Sequence, residues 1–431
     1  MNRRFDSRSP RLSRLLILLG FAAAVSVAAC GEKLEAGAAC PMLCPAAQDI
    51  QLKDTTVDAI AVDSSVPGFP IIGEEDPLLL AARGDTLDTR VIFRFDSLRK
   101  TYPHPTVPAD TFVNHIDSAT LRVVLDTSTL QRVPGLPKSP VTIEMYDVDS
   151  PADTTAADLL PLFTQSRLLG SKTFQPESLA RDTLSLPVSP AAVLSKIITG
   201  SRLRIGLRLV SSTSAQLRIS SGSSVLRYRP ASDTAVTASL LSTTPSDSTL
   251  ATLRSDLADY VITAKGTSLP ASNTIGVGGF PARRTYMLFN LPSHIVDSST
   301  VVRATLTLTQ YPTRNSPSAN DSLGVYPFPV TAGAIVTDIP RLLRLVTVNT
   351  AVVDSLVVLP SDSGTKRLEL VNTVRVWKNT KPEQTQRALV LVIGQEGSNP
   401  AMASFFSSEA PVGLRPRLQL SYVPPVALGL P

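Results

Sequence analysis

The sequence predicts an all-β protein with two tandem jelly-roll-type antiparallel β-sandwiches, which follow a signal peptide and a flexible tether. Of its 431 residues, 43% are apolar, enough to fill real hydrophobic cores. Its 35 prolines disfavour long helices, because an interior proline removes a helical hydrogen bond. Apolar and polar residues alternate along short runs separated by Ser, Thr, Pro, Gly and Asp clusters. This period of two is typical of antiparallel strands with one buried face.

Residues 1–29 are predicted to be a lipoprotein signal peptide. Five arginines and one aspartate precede or flank the apolar run Leu15–Ala24, which is short for a membrane-spanning helix. The run leads into Val27-Ala28-Ala29-Cys30, which resembles the bacterial lipobox. The resemblance implies cleavage between Ala29 and Cys30, and attachment of diacylglycerol to the Cys30 thiol. The alternative is an ordinary Ala-x-Ala signal with an unrelated cysteine.

Residues 30–50 are predicted to form a lipidated flexible tether with a reach of roughly 25 Å. Gly31 stands where inner-membrane lipoproteins carry an aspartate, so the resemblance implies an outer-membrane lipoprotein of the bacterial cell envelope. Whether it faces the periplasm or the exterior stays open. Cys40 and Cys44 are predicted to form a local disulfide, with free thiols and metal ligation as alternatives.

The charge of the mature chain excludes nucleic acid as an expected partner. The full sequence holds 41 basic and 36 acidic residues. Five of these arginines and one aspartate lie in residues 1–29, so the remaining chain carries a net charge of only +1. A chain so close to neutral lacks the excess of positive charge that binds a polyanion.

The remainder of the chain is predicted to contain two copies of one internal repeat. Copy 1 is predicted at 51–242 and copy 2 at 254–425, with a linker at 243–253 and a tail at 426–431. The run Arg90–Asp96 aligns with Arg284–Asn290, and four further short matches follow in the same order. An internal repeat of this kind is the signature of a duplicated structural unit.

The alternation within the repeats predicts which side chains are buried. On the strand around residue 93, Val91, Phe93 and Phe95 are predicted to face the core, with Ile92 and Arg94 on a polar face. Leu203, Ile205, Leu207 and Leu209 are likewise expected inside, with Arg204 and Arg208 outside. Phe289 is the expected equivalent of Phe95. Short helices are predicted only at Ala191–Ile198 and Asn372–Lys378.

Several of these motifs resemble one family. They are the run 284–292, the strand 303–308, Val374-Arg375-Val376-Trp377, and the pair of segments 405–409 and 415–418. Together they resemble the DNRLRE-domain family of extracellular bacterial β-sandwich modules, which are related to carbohydrate-binding modules. Copy 2 fits from about Asp259 to Val423, and copy 1 fits more weakly from about Asp58 to Leu241. The resemblance implies the fold, and no ligand residue is carried over from it.

No catalytic or metal-binding constellation is found, so the chain is predicted not to be an enzyme and to need no cofactor. The three histidines have no metal-ligand spacing, and no Gly-x-Ser-x-Gly elbow is present. Structural calcium is the one alternative, with Glu74-Glu75-Asp76 and Asp147-Val148-Asp149 as oxygen donors.

The predicted function is therefore binding. Trp377 is expected in the core, and Tyr311, Tyr326 and Phe328 are candidates for an exposed platform that stacks on sugar rings. We expect a non-catalytic, lipid-anchored cell-envelope protein whose sandwiches bind polysaccharide. The alternative is a structural or assembly protein of the surface that binds another protein and no glycan.

Overall fold

The computed structural model describes most of the chain beyond residue 51. The described residues are 52–61, 65–70, 73, 75–104, 106, 109–127, 136–150, 156–220, 222–230, 240–241, 259–314, 318–330, 354–379 and 387–425. They form antiparallel sheets with a few short helices, which confirms the predicted all-β sandwich fold. No helix in these ranges is long and apolar enough to cross a membrane.

The N-terminal half of the described chain contains fourteen strands. They are β1 (Lys53–Ala61), β2 (Val66–Phe69), β3 (Leu78–Ala82), β4 (Asp88–Phe95), β5 (Thr101–Tyr102), β6 (Thr111–Phe112), β7 (Ser118–Val124), β8 (Val141–Asp147), β9 (Leu168–Phe174), β10 (Thr183–Val188), β11 (Leu203–Val210), β12 (Ala215–Ile219), β13 (Val225–Arg229) and β14 (Leu240–Leu241). The helices here are α1 (Ala156–Leu159), α2 (Pro176–Leu179) and α3 (Pro190–Thr199), with 3-10 turns at Leu160–Leu162 and Gln165–Arg167.

The C-terminal half of the described chain contains ten strands and two helices. The strands are β15 (Asp259–Lys265), β16 (Thr274–Gly278), β17 (Ala282–Phe289), β18 (Thr300–Tyr311), β19 (Leu323–Val330), β20 (Leu356–Val358), β21 (Gly364–Glu369), β22 (Ala388–Ile393), β23 (Met402–Phe406) and β24 (Arg417–Val423). The helices are α4 (Ser293–Val296) and α5 (Val371–Asn379).

Sandwich 1 is formed by β3, β4, β7–β13 and β14, together with β15. One sheet runs in the order β12-β3-β4-β11-β8-β9, with β15 paired to β4, and the facing sheet runs β10-β7-β13-β14. The core between them contains Phe93 and Phe95 of β4, which are 0% and 5% exposed. Helix α3 begins after the Ser189 N-cap, whose Oγ accepts a hydrogen bond from Ala192 N, and adds Val193 and Ile197 to this core.

Sandwich 2 is formed by β1, β2 and β16–β24. Its strands follow the order β1-β24-β18-β23-β16-β17-β22-β19-β20, with β2 paired to β17 and β21 paired to β18. Phe289 and Trp377 lie in its core, with ring centroids 6.0 Å apart. The indole Nε1 of Trp377 donates to the carbonyl oxygen of Ala388 at 3.2 Å, which satisfies its one buried polar atom.

The two sandwiches exchange their first strands. Strand β1, which opens copy 1 in the sequence, pairs with β24 over Lys53–Asp58 and with β17 over Ala59–Ala61, both in sandwich 2. Strand β15, which opens copy 2, pairs with β4 of sandwich 1 from Asp259↔Phe93 to Lys265↔Asp88. Sheet membership therefore does not follow the predicted boundaries 51–242 and 254–425 at these strands. The linker 243–253 lies outside the described residues.

Most of the predicted elements appear where the sequence places them. The two predicted helices correspond to α3 and α5, whereas the four-residue helices α1, α2 and α4 are not predicted. Phe95 and Phe289, which the repeat alignment predicts to be equivalent, are both buried. Trp377 is 2% exposed, as expected for a core residue.

The prediction of a polar outer face on sandwich 1 is wrong at two positions. Ile92 is completely buried, and Arg204 is 1% exposed. Ile92 belongs to a second apolar cluster with Tyr146, Val148 and the Tyr260 side chain of β15, and residues of α1 and the 3-10 turns pack against that cluster. Period-two alternation cannot reveal this cover, because it comes from distant segments of the chain.

Candidate functional site

A cleft of about 330 Å³ lies where the β3–β4 turn of sandwich 1 meets the loops of sandwich 2. Sandwich 1 contributes the turn that follows β3. Sandwich 2 contributes the end of β18, the loop after it and part of β23, and the segment between β15 and β16 completes the wall. The lining residues are Arg83, Thr86, Leu87, Thr267, Ser268, Leu269, Pro270, Ala271, Tyr311, Thr313, Ser318, Pro400, Met402 and Ser404.

Arg83 is the only charged residue among those that line the cleft. One guanidinium nitrogen donates to Ser318 Oγ at 2.6 Å, and the other donates to Gln216 Oε1 at 2.5 Å and lies 3.5 Å from Asp321 Oδ2. Burial lowers the pKa of the Arg83 guanidinium, and the neighbouring Asp321 carboxylate offsets part of this effect. Arg83 thus joins the two sandwiches and holds the loop that carries Ser318 against the cleft.

Tyr311 provides the aromatic wall. It is the last residue of β18, and 37% of its surface is exposed. Its ring packs edge-on against Phe406, with centroids 5.6 Å apart and an interplanar angle of 85°, which fixes the orientation of the ring. Leu269, at 74% exposure, adds an apolar rim.

A second cavity of about 470 Å³ shares the ridge Leu269–Ala271 with the cleft. The ridge is held tightly, because a Cβ at Gly276 would lie 2.7 Å from Pro270 Cγ and 3.0 Å from Met402 Sδ. Arg283 lines this cavity, and its Nη1 donates to the carbonyl oxygen of Ser65 at 3.2 Å. Burial lowers the pKa of the Arg283 guanidinium.

The side chains around the cleft offer an aromatic surface and several hydrogen-bonding groups. A half-exposed ring, a charge-compensated arginine and several hydroxyls can stack on an apolar face and exchange hydrogen bonds with a polyhydroxylated ligand. The lining residues include no carboxylate, histidine or thiol, so the described cleft walls hold no pair of groups for general acid–base catalysis.

The structure brings one of the three predicted platform residues to the cleft. Tyr311 lines it, whereas Tyr326 and Phe328 lie on β19 and line neither of the two cavities. Arg83 and Ser318 are not marked by any sequence motif, because they meet only through the packing of two distant loops. Ala29, Cys30, Cys40 and Cys44 lie outside the described residues.

The carboxylates considered for calcium have other partners. Lys196 Nζ lies 3.1 Å from Asp147 and 3.3 Å from Asp149, and Arg202 Nε lies 2.6 Å from Asp149 Oδ1. These cations occupy the oxygens that a calcium ion would need. Glu75 is buried and accepts a hydrogen bond from Gly73 N at 2.6 Å. The described part of the chain holds no group of three or more metal-ligating side chains.

Comparison with known proteins gives no family. No family model matches the chain, and no curated protein matches it. Among solved structures, the Macrobrachium rosenbergii nodavirus is similar with a TM-score of 0.15 and 9% identity, over 89% of this chain and 94% of that chain. The subviral particle of infectious bursal disease virus VP2 is similar with a TM-score of 0.11 and 11% identity, over 85% of this chain and 79% of that chain. At such scores the likeness carries no argument about fold or function.

Proposed function

We propose that the protein is a non-catalytic, lipid-anchored cell-envelope protein that binds polysaccharide in the cleft between its sandwiches. The observation that carries this proposal is the combination of Tyr311, Arg83 and the hydroxyls of Thr86, Ser318 and Ser404 around one opening. A sugar ring presents an apolar C–H face to an aromatic ring and hydroxyls at its edge, so it fits this arrangement. The volume of about 330 Å³ falls in the range of small-molecule sites.

The ring that stacks on the ligand should be Tyr311. Its edge-on contact with Phe406 holds the ring in place before any ligand arrives, which reduces the entropy lost on binding. Leu269 and Met402 extend the apolar surface of the cleft wall. The charge of Arg83 is already neutralised by Asp321, so Arg83 can orient a ligand through hydrogen bonds but adds no net positive charge to the cleft.

A glycan array with the soluble mature chain, from Gly31 onward, tests the proposal. We expect binding that Tyr311→Ala abolishes, because the stacking surface is removed. Tyr326→Ala is the matched control, since the same residue type stands outside both cavities and its loss should leave binding unchanged. Absence of binding to any glycan, or equal loss in both variants, would count against the cleft as a polysaccharide site.

The anchoring part of the proposal rests on the lipobox-like Val27–Cys30 segment. The two acyl chains of the diacylglycerol, at about 0.8 kcal/mol per buried CH₂, would hold the protein stably on a bilayer. Cys30→Ser should therefore move the protein from the membrane fraction to the soluble fraction. A Cys30→Ser variant that is processed normally and still pellets with membranes would rule out lipid as the anchor.

The second candidate function is a structural or assembly protein that binds another protein. Strand β20 favours it, because this strand is the last in the sheet order of sandwich 2 among the described residues and Val357 on it is 60% exposed. An edge strand of this kind can accept a strand from a partner. Pull-down with the Val357→Lys variant separates the candidates, since that change should remove a protein partner and leave glycan binding intact.

A further inference from the structure

Strand β1, which follows the predicted tether in the sequence, begins at one end of three neighbouring strands of sandwich 2. Lys53, the first residue of β1, pairs with Tyr422 of β24, and Val423 of β24 pairs with Thr300 of β18. The start of β1, the end of β24 and the start of β18 therefore lie together. Residue 52 continues directly into the predicted tether, so any pull from the anchor enters the fold at this end.

The cleft lies at the opposite end of the same strands. Strand β18 runs 12 residues from Thr300 to Tyr311, a distance of roughly 37 Å at the usual rise per residue, and Tyr311 is the aromatic wall. Strand β1 runs the same way, and Ser65, just beyond its end, lines the second cavity and its Oγ accepts a hydrogen bond from Gly276 N at 2.5 Å. Strand β18 thus reaches the cleft, and β1 runs in the same direction toward the second cavity.

The hydrogen bonds that hold β1 lie across this axis. Antiparallel ladder bonds are perpendicular to the strands. Lys53–Asp58 are in register with Tyr422–Arg417 on β24, and Ala59–Ala61 are in register with β17. A pull along β1, with resistance at the cleft, therefore loads all these pairs at once in shear. A pull that separates Lys53 from Tyr422 sideways would instead break the pairs one after another.

The strand exchange directs the same load through both sandwiches. After β2, which pairs with β17 of sandwich 2, the chain crosses into β3 of sandwich 1. Arg83, in the turn after β3, is tied back to Ser318 and Asp321 of sandwich 2 across the cleft. A ligand held in the cleft is thus gripped by walls from both sandwiches.

We propose that the chain is a load-bearing link, in which β1 transmits tension between the membrane tether and a polymer held in the cleft through ladder bonds loaded in shear. This inference rests on the proposed function, which supplies the anchor at one end and the polymer at the other. It adds a mechanical role that binding alone does not require.

Single-molecule force measurement on the full mature chain tests the link. One handle is attached at the N-terminus and the other at position 269, on the exposed rim of the cleft. In the matched control the second handle is attached to the C-terminal tail, so that the pull peels β1 from β24 beginning at the Lys53–Tyr422 pair. We expect a several-fold higher unfolding force, at the same loading rate, for the handle at position 269.

The outcomes separate the two proposals. Equal forces in the two geometries, or a lower force with the handle at 269, would overturn the load-bearing role even if the glycan array shows binding. If the glycan array shows no binding while the unfolding force at position 269 is high, the proposed function is refuted, and the load-bearing link loses the polymer that it is proposed to hold.

Discussion

Two isoleucines that lie 13 positions apart give a direct test of the strand exchange. Ile262 lies on β15 and Ile275 on β16, and both belong to copy 2 by sequence. The structure places Ile262 in the outer apolar cluster of sandwich 1 and Ile275 in the core of sandwich 2. They are 2% and 1% exposed, so the same substitution to alanine removes a comparably buried side chain from different sandwiches.

The expected loss follows from the atoms removed. Ile→Ala deletes three carbon groups, which at about 0.8 kcal/mol each cost about 2.4 kcal/mol of transfer free energy. The cavity left behind adds to this, so the expected destabilisation is about 3–4 kcal/mol for each variant. Ile262 packs among Ile92, Tyr146 and Tyr260, all of which are nearly completely buried, so the site has little freedom to collapse.

Hydrogen exchange with mass spectrometry reads out each sandwich separately, because local opening lowers protection only in the destabilised unit. Ile262→Ala should speed exchange in β4 and β11 and leave β18 and β22 protected. Ile275→Ala should do the reverse. The fluorescence of Trp377, the one tryptophan in the chain, provides a second probe that reports sandwich 2 alone.

The reasoning is refuted if Ile262→Ala deprotects sandwich 2 to the same extent as Ile275→Ala does. That result would place β15 with the other strands of copy 2, as the sequence boundary predicts. It would also favour independent folding of residues from about 255 onward, which the observed pairing of β1 with β24 and β17 argues against.

Four further predictions follow from single contacts. Phe95→Ala should destabilise sandwich 1 by about 3–5 kcal/mol in urea unfolding. Arg94→Ala loses only a partly exposed ion pair to Asp96 at 2.7 Å and should cost at most about 1 kcal/mol, so comparable losses in the two variants would mean that the strand register is wrong. Asp54 and Ser421 are in register and in side-chain contact, so cysteines at these two positions should form a disulfide within one chain under oxidation. A disulfide found by mass spectrometry only between two chains would contradict the pairing of β1 with β24 of the same chain. Burial raises the pKa of Asp259 to about 6, and the hydrogen bond from Gly222 N offsets part of this effect, so between about pH 4 and about pH 6 the folded state holds a proton that the unfolded state has released. Stability should therefore fall as the pH rises through this range, and Asp259→Asn should remove that dependence from a pH series of melting temperatures. Gly276→Ala should push Pro270 into the cleft and weaken glycan binding, whereas Gly413→Ala, with nothing within 4 Å of its added Cβ, should leave binding unchanged.

The pairing of strands between the copies could not be predicted from the repeats. Alternation predicts neither β1 nor β15 as a strand, and in β15 the three consecutive residues Tyr260–Ile262 are buried without a period of two. It does not say which sheet edge each strand joins, because both copies offer similar edges beside β4 and β17. The choice depends on the length and path of the segments between strands, which no local pattern encodes.

The residues of the cleft could likewise be predicted only in part from the sequence. Tyr311 could be proposed from its aromatic character and its place in a Pro-rich stretch, whereas Arg83 could not. Arg83 becomes a cleft residue only because its turn packs against the loop of Ser318 and Asp321, which lie more than 200 positions away. Tyr326 carried the same sequence signal as Tyr311, yet it lies on a strand that borders neither cavity.

Local chemistry therefore determined the elements, and long-range packing determined their assembly. Period-two alternation, proline content and the Ser189-Pro190 start of α3 act through neighbouring residues, so the all-β class, the two short helices and the burial of Phe95, Phe289 and Trp377 follow from the sequence by itself. The buried outer face around Ile92, the exchange of β1 and β15, and the cleft around Arg83 and Tyr311 each require segments that are distant in the chain to meet. Only the tertiary structure decides which of these segments lie close enough to bury apolar surface and share hydrogen bonds.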